Sequence, residues 1–432
     1  MASFSVRNFG CRANQAEAFA WAETFRDRGL RLEEDWGRSD VVVVNSCTLT
    51  GRADRDVKKF IRTVHRDNPR TRIVVTGCYA ERAPAEIADL PGVVSVLPQS
   101  AKPEMAERVM ALAADRGHVP PVRVPDFTPA PGRDAAGTDD ALRARAFLKV
   151  QDGCDGRCAF CVIPGVRGRS RSVPPGDVAA SVSRLAGRGF REIVLAGIHL
   201  SSYGEDLEPP SSLRSLLGEL GPAAGTARLR LSSLDPRKTD PRLMAHLARD
   251  GRICPHFHLS LQHASDRILR TMGRAVEAGS YERLLDGLGR LAPEAALGAD
   301  LMVGFPGETE ADFEELRSFL DRSPLTYAHV FPYSPRPATP AAARPQLPTR
   351  VVTERATALR RLAALKDFRF RQRFLGRELE AVVIDKSARE AEVLTGNAIP
   401  VRVPGCAAPR REQVRVAIRR ILPGRTEGEI VA

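Results

Sequence analysis

Short apolar strands alternate with amphipathic helical segments along most of this 432-residue chain, in two successive series. In the first series, predicted strands span Phe4–Asn8, Asp40–Asn45, Arg72–Thr76 and Val93–Leu97, and predicted helices span Gln15–Arg28, Ala53–Asp67 and Pro84–Leu90. Strands of the second series are predicted at Phe147–Gln151, Glu192–Ala196, Arg228–Ser232, His256–Leu261, Gly298–Val303 and Tyr327–Pro332. Strands separated by helical crossovers form parallel sheets. The sequence therefore predicts an α/β protein, with an N-terminal parallel-sheet domain followed by a partial (β/α)6 barrel.

Two interruptions divide this alternation into domains. Residues 116–145 are rich in proline and glycine and lack apolar periodicity, which is typical of a linker. After the barrel, a long arginine-rich helix is predicted at Val352–Phe374. Short alternating runs beyond it predict a small all-β module, with strands at Glu380–Ile384, Glu392–Leu394, Ile399–Val403 and Gln413–Ile418. We therefore predict an N-terminal domain at 1–115, a linker at 116–145, a central domain at 146–375 and a C-terminal domain at 376–432.

The chain is basic, with 65 Lys and Arg residues, 53 Asp and Glu residues and a net charge of +12. From residue 350 onward there are 18 basic and 10 acidic residues, so two thirds of the excess lies in the last fifth of the chain. This charge favours a polyanionic partner such as RNA. No apolar run of membrane-spanning length and no secretory signal is found. We therefore expect a cytoplasmic protein that does not contact membranes.

Three cysteines, Cys154, Cys158 and Cys161, lie within eight residues on a glycine-containing loop after a predicted strand. We call them the first cysteine set. Structural zinc sites and ordinary 4Fe–4S sites use four protein ligands, whereas three thiolates leave one coordination position open for chemistry. The alternative is a zinc knuckle completed by a distant histidine. The spacing and the strand–loop position favour a reactive iron–sulfur cluster.

A second cysteine set, Cys11, Cys47 and Cys78, is spread over the N-terminal domain. Each of these cysteines follows the end of a predicted strand. Because the carboxyl ends of parallel strands open onto one edge of a sheet, the three thiols are expected to meet there. The alternatives are three buried cysteines that act as small apolar residues, or a structural zinc site. Cys254 and Cys406 have no partners at ligand spacing and are interpreted as ordinary residues.

Three arginines, Arg167, Arg169 and Arg171, follow the first cysteine set and alternate with small residues. Their charge suits contacts with phosphate groups, and their position beside a predicted active site suits a substrate RNA. A solvated loop is the alternative interpretation. We therefore predict that these arginines bind RNA.

The chain resembles the radical SAM methylthiotransferases over essentially its whole length. The spacing of the first cysteine set matches the radical SAM signature. The stretches that most resemble the MtaB-type branch, which acts on N6-threonylcarbamoyladenosine in tRNA, are Gly10–Gln15, Leu195–Leu200, Leu231–Pro236 and Val330–Pro337. The domain plan of this family, with a central radical SAM domain and a small RNA-binding TRAM domain at the C-terminus, agrees with the predicted organisation.

The resemblance implies two 4Fe–4S clusters and S-adenosylmethionine as cofactors. The first cysteine set would hold the cluster that cleaves S-adenosylmethionine, and the second set an auxiliary cluster that carries sulfur. Residues assigned by resemblance to the surroundings of S-adenosylmethionine are Phe160, Gly197, Ser232 and Gln262.

The resemblance also implies the reaction: methylthiolation of N6-threonylcarbamoyladenosine at position 37 of the tRNA anticodon loop. The implied partners are tRNA, an electron-donating reductase, flavodoxin or ferredoxin, and a sulfur source. Isopentenyladenosine in tRNA and an aspartate of a ribosomal protein are alternative substrates. An alternative of another class is a non-catalytic, zinc-containing RNA-binding protein.

Overall fold

A computed structural model describes residues 1–114, 144–274 and 276–431. The predicted linker at 116–145 lies outside the described residues, apart from its last two positions. Within the described ranges, no helix combines the length and hydropathy that a membrane crossing requires.

The N-terminal domain is built around a parallel sheet with the strand order β2-β1-β3-β4-β5. Its elements are β1 (Ser3–Asn8), α1 (Arg12–Asp27), β2 (Arg31–Leu32), β3 (Val41–Ser46), α2 (Gly51–Asp67), β4 (Arg72–Gly77), α3 (Cys78–Arg82), α4 (Pro84–Ala88), β5 (Val93–Val96) and α5 (Met105–Ala114). All six residues of β3 are buried, as is typical of a central parallel strand that is covered on both faces.

The central domain is a partial barrel. Its elements are β6 (Ala146–Asp152), α6 (Ile163–Arg167), β7 (Arg171–Ser172), α7 (Pro175–Gly187), β8 (Glu192–Gly197), α8 (Leu213–Ala224), β9 (Arg228–Leu231), α9 (Pro241–Arg249), β10 (His256–Gln262), α10 (Asp266–Thr271), α11 (Ala278–Leu291), β11 (Ala296–Val303), α12 (Glu310–Arg322) and β12 (Tyr327–Pro332). Six parallel strands follow the order β6-β8-β9-β10-β11-β12. Two isolated bridges connect the β9 and β10 segments, from Leu229 to Ile253 just before β10 and from Leu234 just after β9 to Leu259. The short strand β7 pairs antiparallel with β6 at the other edge.

Helix α1 of the N-terminal domain packs inside this partial barrel. Leu148 and Leu195 point outward, since they pack with the surrounding helices. Because successive residues of a strand face opposite sides, Phe147 and Val194 point inward, and there they contact Ala16 of α1. The N-terminal domain is therefore anchored on the inner face of β6 and β8.

The C-terminal part consists of α13 (Thr349–Gln372) and a closed five-stranded barrel. The strands are β13 (Glu378–Lys386), β14 (Glu390–Thr395), β15 (Pro400–Pro404), β16 (Gln413–Leu422) and β17 (Arg425–Val431). This barrel is tied to the central domain, because Arg230 of β9 donates to the carbonyl of Thr395 at 3.1 Å. The predicted fold class is confirmed in all three parts, although β17 was not predicted.

Candidate active site between two cysteine sets

The first cysteine set lies on the loop after β6, at the carboxyl end of the partial barrel. Gly153 opens this loop with a φ of +70°, and a Cβ there would lie 1.9 Å from the carbonyl oxygen of Arg169. Only glycine fits such a close approach of two backbone segments. The loop is fixed by hydrogen bonds from the backbone N–H of Cys154 to Gly168 and of Ala159 to Met272. The three thiols are all half-buried.

The second cysteine set comes from three neighbouring strands. Cys11 precedes α1, Cys47 follows β3 and Cys78 begins α3 directly after β4. A Cβ on Gly10 would lie 2.7 Å from the sulfur of Cys47, so the backbone beside Cys11 closely approaches this thiol. Burial, together with the nearby Cys78 and Cys11, raises the pKa of Cys47 to about 12. The structure therefore brings the three thiols to one edge of the sheet.

The two sets lie next to each other. Cys78 packs in one small apolar cluster with Cys154, Cys161 and the α6 region, which contributes Val162, Ile163 and Val166. Burial, together with the nearby Cys158, Cys154 and Cys78, raises the pKa of Cys161 to about 12. Residues far apart in sequence thus form one site that carries six thiols.

Several N–H groups point at sulfur atoms of this site. The backbone N–H of Gly156 donates to Cys154 Sγ at 3.3 Å. Arg167 Nε donates to Cys78 Sγ at 3.2 Å, and the side-chain amide of Gln99 donates to the same atom at 3.7 Å. Sulfur that accepts hydrogen bonds in this way suits thiolate ligands.

A buried ion network lies beside the second set, and we define it as Glu17, Lys102, Lys149, Asp152 and Arg167. Glu17 accepts from Lys102 at 2.6 Å, from Lys149 at 2.9 Å and from Arg167 at 3.1 Å. Burial alone would raise the pKa of Glu17, but the three cations lower it well below its ordinary value. The network joins α1 to β6 and α6, and so holds the N-terminal domain against the barrel.

The predicted RNA contact of Arg167 is corrected by this geometry. Its side chain is 0% exposed, and its guanidinium contacts Glu17, Asp152 and Asn14. A phosphate group cannot reach it. In contrast, the side chain of Arg169 is 92% exposed beside Asp155, and Arg171 is half-buried with its guanidinium on the carbonyls of Arg167 and Arg169.

The residues expected around S-adenosylmethionine lie at carboxyl ends of barrel strands and in the loops beyond them. Gly197 ends β8, and its N–H donates to the hydroxyl of Ser232 after β9 at 3.3 Å, so these two are brought together. Phe160 packs edge-on against Phe305, with ring centroids 6.5 Å apart. Gln262 ends β10 with a φ of 73°. Among the described residues, no hydrogen bond joins Gln262 to the other three.

His199 is a site residue that was not predicted from the sequence. Its ring bonds to Asp235 at 3.1 Å and to Ser202 at 3.0 Å, and it lies beside the thiol of Cys154. Burial lowers the pKa of His199, but Asp235 and Cys154 raise it to about 9. Burial alone would raise the pKa of Cys154, but His199 and the backbone N–H of Gly156 outweigh burial, so the pKa of this thiol is lowered. His199 and Asp235 each follow the end of one of two adjacent strands, and this position was the sequence signal that could have identified them as site residues.

The inner face of the barrel carries a second polar group, on β10, β11 and β12. His258 and His329 lie 3.0 and 3.5 Å from Asp300, and burial of this carboxyl is outweighed by the two histidines, which lower its pKa to about 2. His329 is 58% exposed, and the neighbouring Phe331 is 42% exposed. Aromatic and polar groups are therefore accessible on this face.

Known proteins are similar to this chain in sequence and in fold. Residues 3–98 match a family described as Uncharacterized protein family UPF0004, and residues 148–320 match the Radical SAM superfamily. The chain is 37% identical over 405 residues to the threonylcarbamoyladenosine tRNA methylthiotransferase MtaB of Aquifex aeolicus (strain VF5), covering 93% of this chain and 96% of the relative.

Two further comparisons extend this result. The ribosomal protein uS12 methylthiotransferase RimO of Saccharopolyspora erythraea is 36% identical, with coverage of 77% of this chain and 74% of the relative. The structure of the radical S-adenosylmethionine methyltransferase TsrM from Kitasatospora setae superposes with a TM-score of 0.56 at 16% identity, covering 79% of this chain and 75% of TsrM, and so shares the fold. The chain belongs to the radical SAM methylthiotransferase family.

Proposed function

We propose that this protein is a tRNA methylthiotransferase that converts N6-threonylcarbamoyladenosine at position 37 to its 2-methylthio derivative. The observation that carries this proposal is the contact of two three-cysteine sets across one apolar cluster. Similarity to the MtaB relative over nearly the full length of both chains supports the substrate. The activity combines sulfur insertion with methyl transfer, and the cytoplasm is its proposed location.

Members of the radical SAM superfamily bind a 4Fe–4S cluster and S-adenosylmethionine. Here Cys154, Cys158 and Cys161 are the proposed ligands of that cluster, and the second cysteine set holds a proposed auxiliary cluster. When bound, the first cluster supplies the electron that cleaves S-adenosylmethionine, and the auxiliary cluster supplies the inserted sulfur. The hydrogen bonds that point at Cys154 and Cys78 support this assignment, since they stabilise thiolates.

The chain itself orients the reactants. Phe160, Gly197, Ser232 and Gln262 are the proposed surroundings of S-adenosylmethionine, since they lie where barrel enzymes place their active sites. The target base is proposed to lie against Phe331 and His329, because bases of single-stranded RNA loops stack on accessible aromatic side chains. Asp300 is proposed to accept a hydrogen bond from the modified base, since its lowered pKa keeps the carboxyl ionised.

The tRNA backbone is proposed to contact Arg169, Arg171 and the basic C-terminal barrel, which suits a TRAM-like role. An electron-donating reductase, flavodoxin or ferredoxin and a sulfur source are the other proposed partners. The exposed guanidinium of Arg169 is free to approach phosphate, since its Asp155 partner is itself exposed and such surface pairs are weak.

Mass spectrometry of tRNA nucleosides from a deletion strain tests the substrate. The 2-methylthio-N6-threonylcarbamoyladenosine signal should vanish and return with the wild-type gene, but not with a Cys78→Ala copy. Loss of the 2-methylthio-isopentenyl nucleoside, or of methylthiolation on a ribosomal-protein aspartate, would assign an alternative substrate. Zinc in place of iron in the anaerobically purified chain would favour the non-catalytic alternative.

A further inference from the structure

Arg167 connects the two cysteine sets physically. It ends α6, the short helix that follows the first set, and its side chain crosses to the N-terminal domain. There Nε donates a hydrogen bond to Cys78 Sγ at 3.2 Å, and Nη1 contacts Asp152 at 2.7 Å and Glu17 at 3.1 Å. Its side chain is 0% exposed, so these contacts are not weakened by water.

Arg167 lies in a buried group of charged side chains. Among the described residues, the cations Lys102 and Lys149 and the carboxylates Glu17 and Asp152 belong to this group. Burial lowers the pKa of Lys102, and although Glu17 opposes this, Arg167 and Lys149 lower it further. Arg167 brings positive charge directly to the second cysteine set, because its Nε contacts Cys78 Sγ.

An anionic group at the second set would be stabilised by the positive charge of Arg167. A cluster bound by three thiolates carries negative charge, which increases when the cluster is reduced. The ion pairs with Glu17 and Asp152 alone would account for the burial of Arg167. It does not account for the direction of Nε, which points at sulfur rather than at either carboxylate.

We propose that Arg167 is a positioning residue for the auxiliary centre, where its hydrogen bond to Cys78 and its buried charge stabilise the reduced state of the cluster. Hydrogen bonds to ligand sulfur and nearby positive charge both raise the reduction potential of iron–sulfur clusters. This inference rests on the proposed auxiliary cluster. It makes Arg167 a residue that sets how readily that cluster accepts an electron.

The test uses the full-length chain with Cys154, Cys158 and Cys161 replaced by alanine, so that the remaining signal belongs to the second set. Arg167→Gln, Arg167→Lys and Arg169→Gln are added separately. The midpoint potential is measured by redox titration followed by electron paramagnetic resonance, together with iron content. Arg169→Gln removes the same charge from an exposed position of the same loop and is the matched control.

At a fixed solution potential, Arg167→Gln should raise the ratio of oxidised to reduced cluster at least tenfold, which lowers the midpoint by about 59 mV for one electron. Arg167→Lys keeps the charge but loses the Nε contact, so its potential should lie between those of Arg167→Gln and the parent. Arg169→Gln should match the parent.

Unchanged potentials in both Arg167 variants at full iron content would overturn this inference alone, as would an equal shift in Arg169→Gln. Loss of the cluster in Arg167→Lys would show a requirement for assembly and overturn the tuning role. A parent chain that binds no iron would contradict the auxiliary cluster itself, and with it both the proposed function and this inference.

Discussion

Cys78 and Cys161 belong to different domains, yet their side chains pack in the same apolar cluster beside α6. Cys78 begins α3 at the edge of the N-terminal sheet, and Cys161 ends the cysteine loop of the barrel. Their proximity depends on α1, which carries the N-terminal domain onto the inner face of β6 and β8. Two sites, each with three thiols, thus lie side by side and can act on the same substrate.

Replacement of Cys78 distinguishes the contributions of the two proposed clusters. Cys78→Ala should reduce bound iron by about half, because only the first set keeps its three ligands. Cleavage of S-adenosylmethionine should continue in the presence of a strong reductant, whereas methylthio product should fall below detection. Iron analysis and chromatography of the reaction products measure both effects.

Cys406→Ala is the control, since this half-buried cysteine lies in the C-terminal barrel. It should keep full iron content and activity. Loss of all iron in Cys78→Ala, or full product formation by it, would show that the two sets do not act as separate sites.

The buried ion network predicts a large loss of stability on removal of its central carboxylate. Glu17→Gln leaves Arg167, Lys102 and Lys149 without their shared anion, and breaking a buried ion pair costs about 3–5 kcal/mol. Urea unfolding followed by circular dichroism measures the free energy of unfolding. The control is Glu107→Gln, which breaks a pair with Arg28 on the surface and should cost less than about 1 kcal/mol. Equal effects of the two substitutions would refute the assigned role.

The buried carboxyl of Glu192 in the barrel interior should make the stability of the fold depend on pH. Burial would raise the pKa of Glu192, but Arg230, Arg145 and Arg228 lower it to about 2 from its ordinary value of 4.5. A lowered folded-state pKa stabilises the fold above pH 4.5, and this contribution is lost as pH falls toward 2. The shift corresponds to about 3 kcal/mol.

Glu192→Gln should remove this contribution. The difference in unfolding free energy between the wild type and this variant, measured on cluster-free chains, should therefore shrink between pH 6 and pH 3. A difference that stays constant over this range would mean that the pKa of Glu192 is not lowered in the folded protein.

The accessible aromatic face of β12 predicts a contribution to binding of the target base. Stacking of one base on an aromatic side chain contributes about 1–3 kcal/mol, so Phe331→Ala should lower kcat/KM roughly 5- to 150-fold while iron content stays constant. Leu375→Ala removes a similarly exposed apolar side chain beyond α13 and serves as the control. If the two variants behave alike in steady-state assays with a tRNA substrate, the base does not lie against Phe331.

Much of the fold followed from sequence, because parallel strands and their crossover helices leave a strong periodic signal. The same logic placed Cys11, Cys47 and Cys78 at one sheet edge. β17 was missed because its alternation of Arg425, Glu427 and Glu429 with other residues gives no apolar stripe. Only its pairing with β16 and β15 makes it a strand.

The environment of Arg167 could not be predicted from the local sequence. Its neighbours Arg169 and Arg171 share its residue type and spacing, yet only Arg167 meets Glu17 and Asn14, which lie about 150 residues earlier. His199 was missed for a similar reason, since its partner Asp235 lies in the loop after the next strand of the barrel. Contacts between domains and between strands depend on packing that no local pattern encodes.

The most direct test of the account is conversion of defined tRNA by the purified chain with both clusters reconstituted. The reaction contains tRNA carrying N6-threonylcarbamoyladenosine, S-adenosylmethionine, sulfide and a reductant, and nucleosides are analysed by mass spectrometry. We predict 2-methylthio-N6-threonylcarbamoyladenosine as the product, and none when tRNA carrying isopentenyladenosine is supplied instead. Unmodified N6-threonylcarbamoyladenosine after full cleavage of S-adenosylmethionine, with about eight irons bound, would contradict the account.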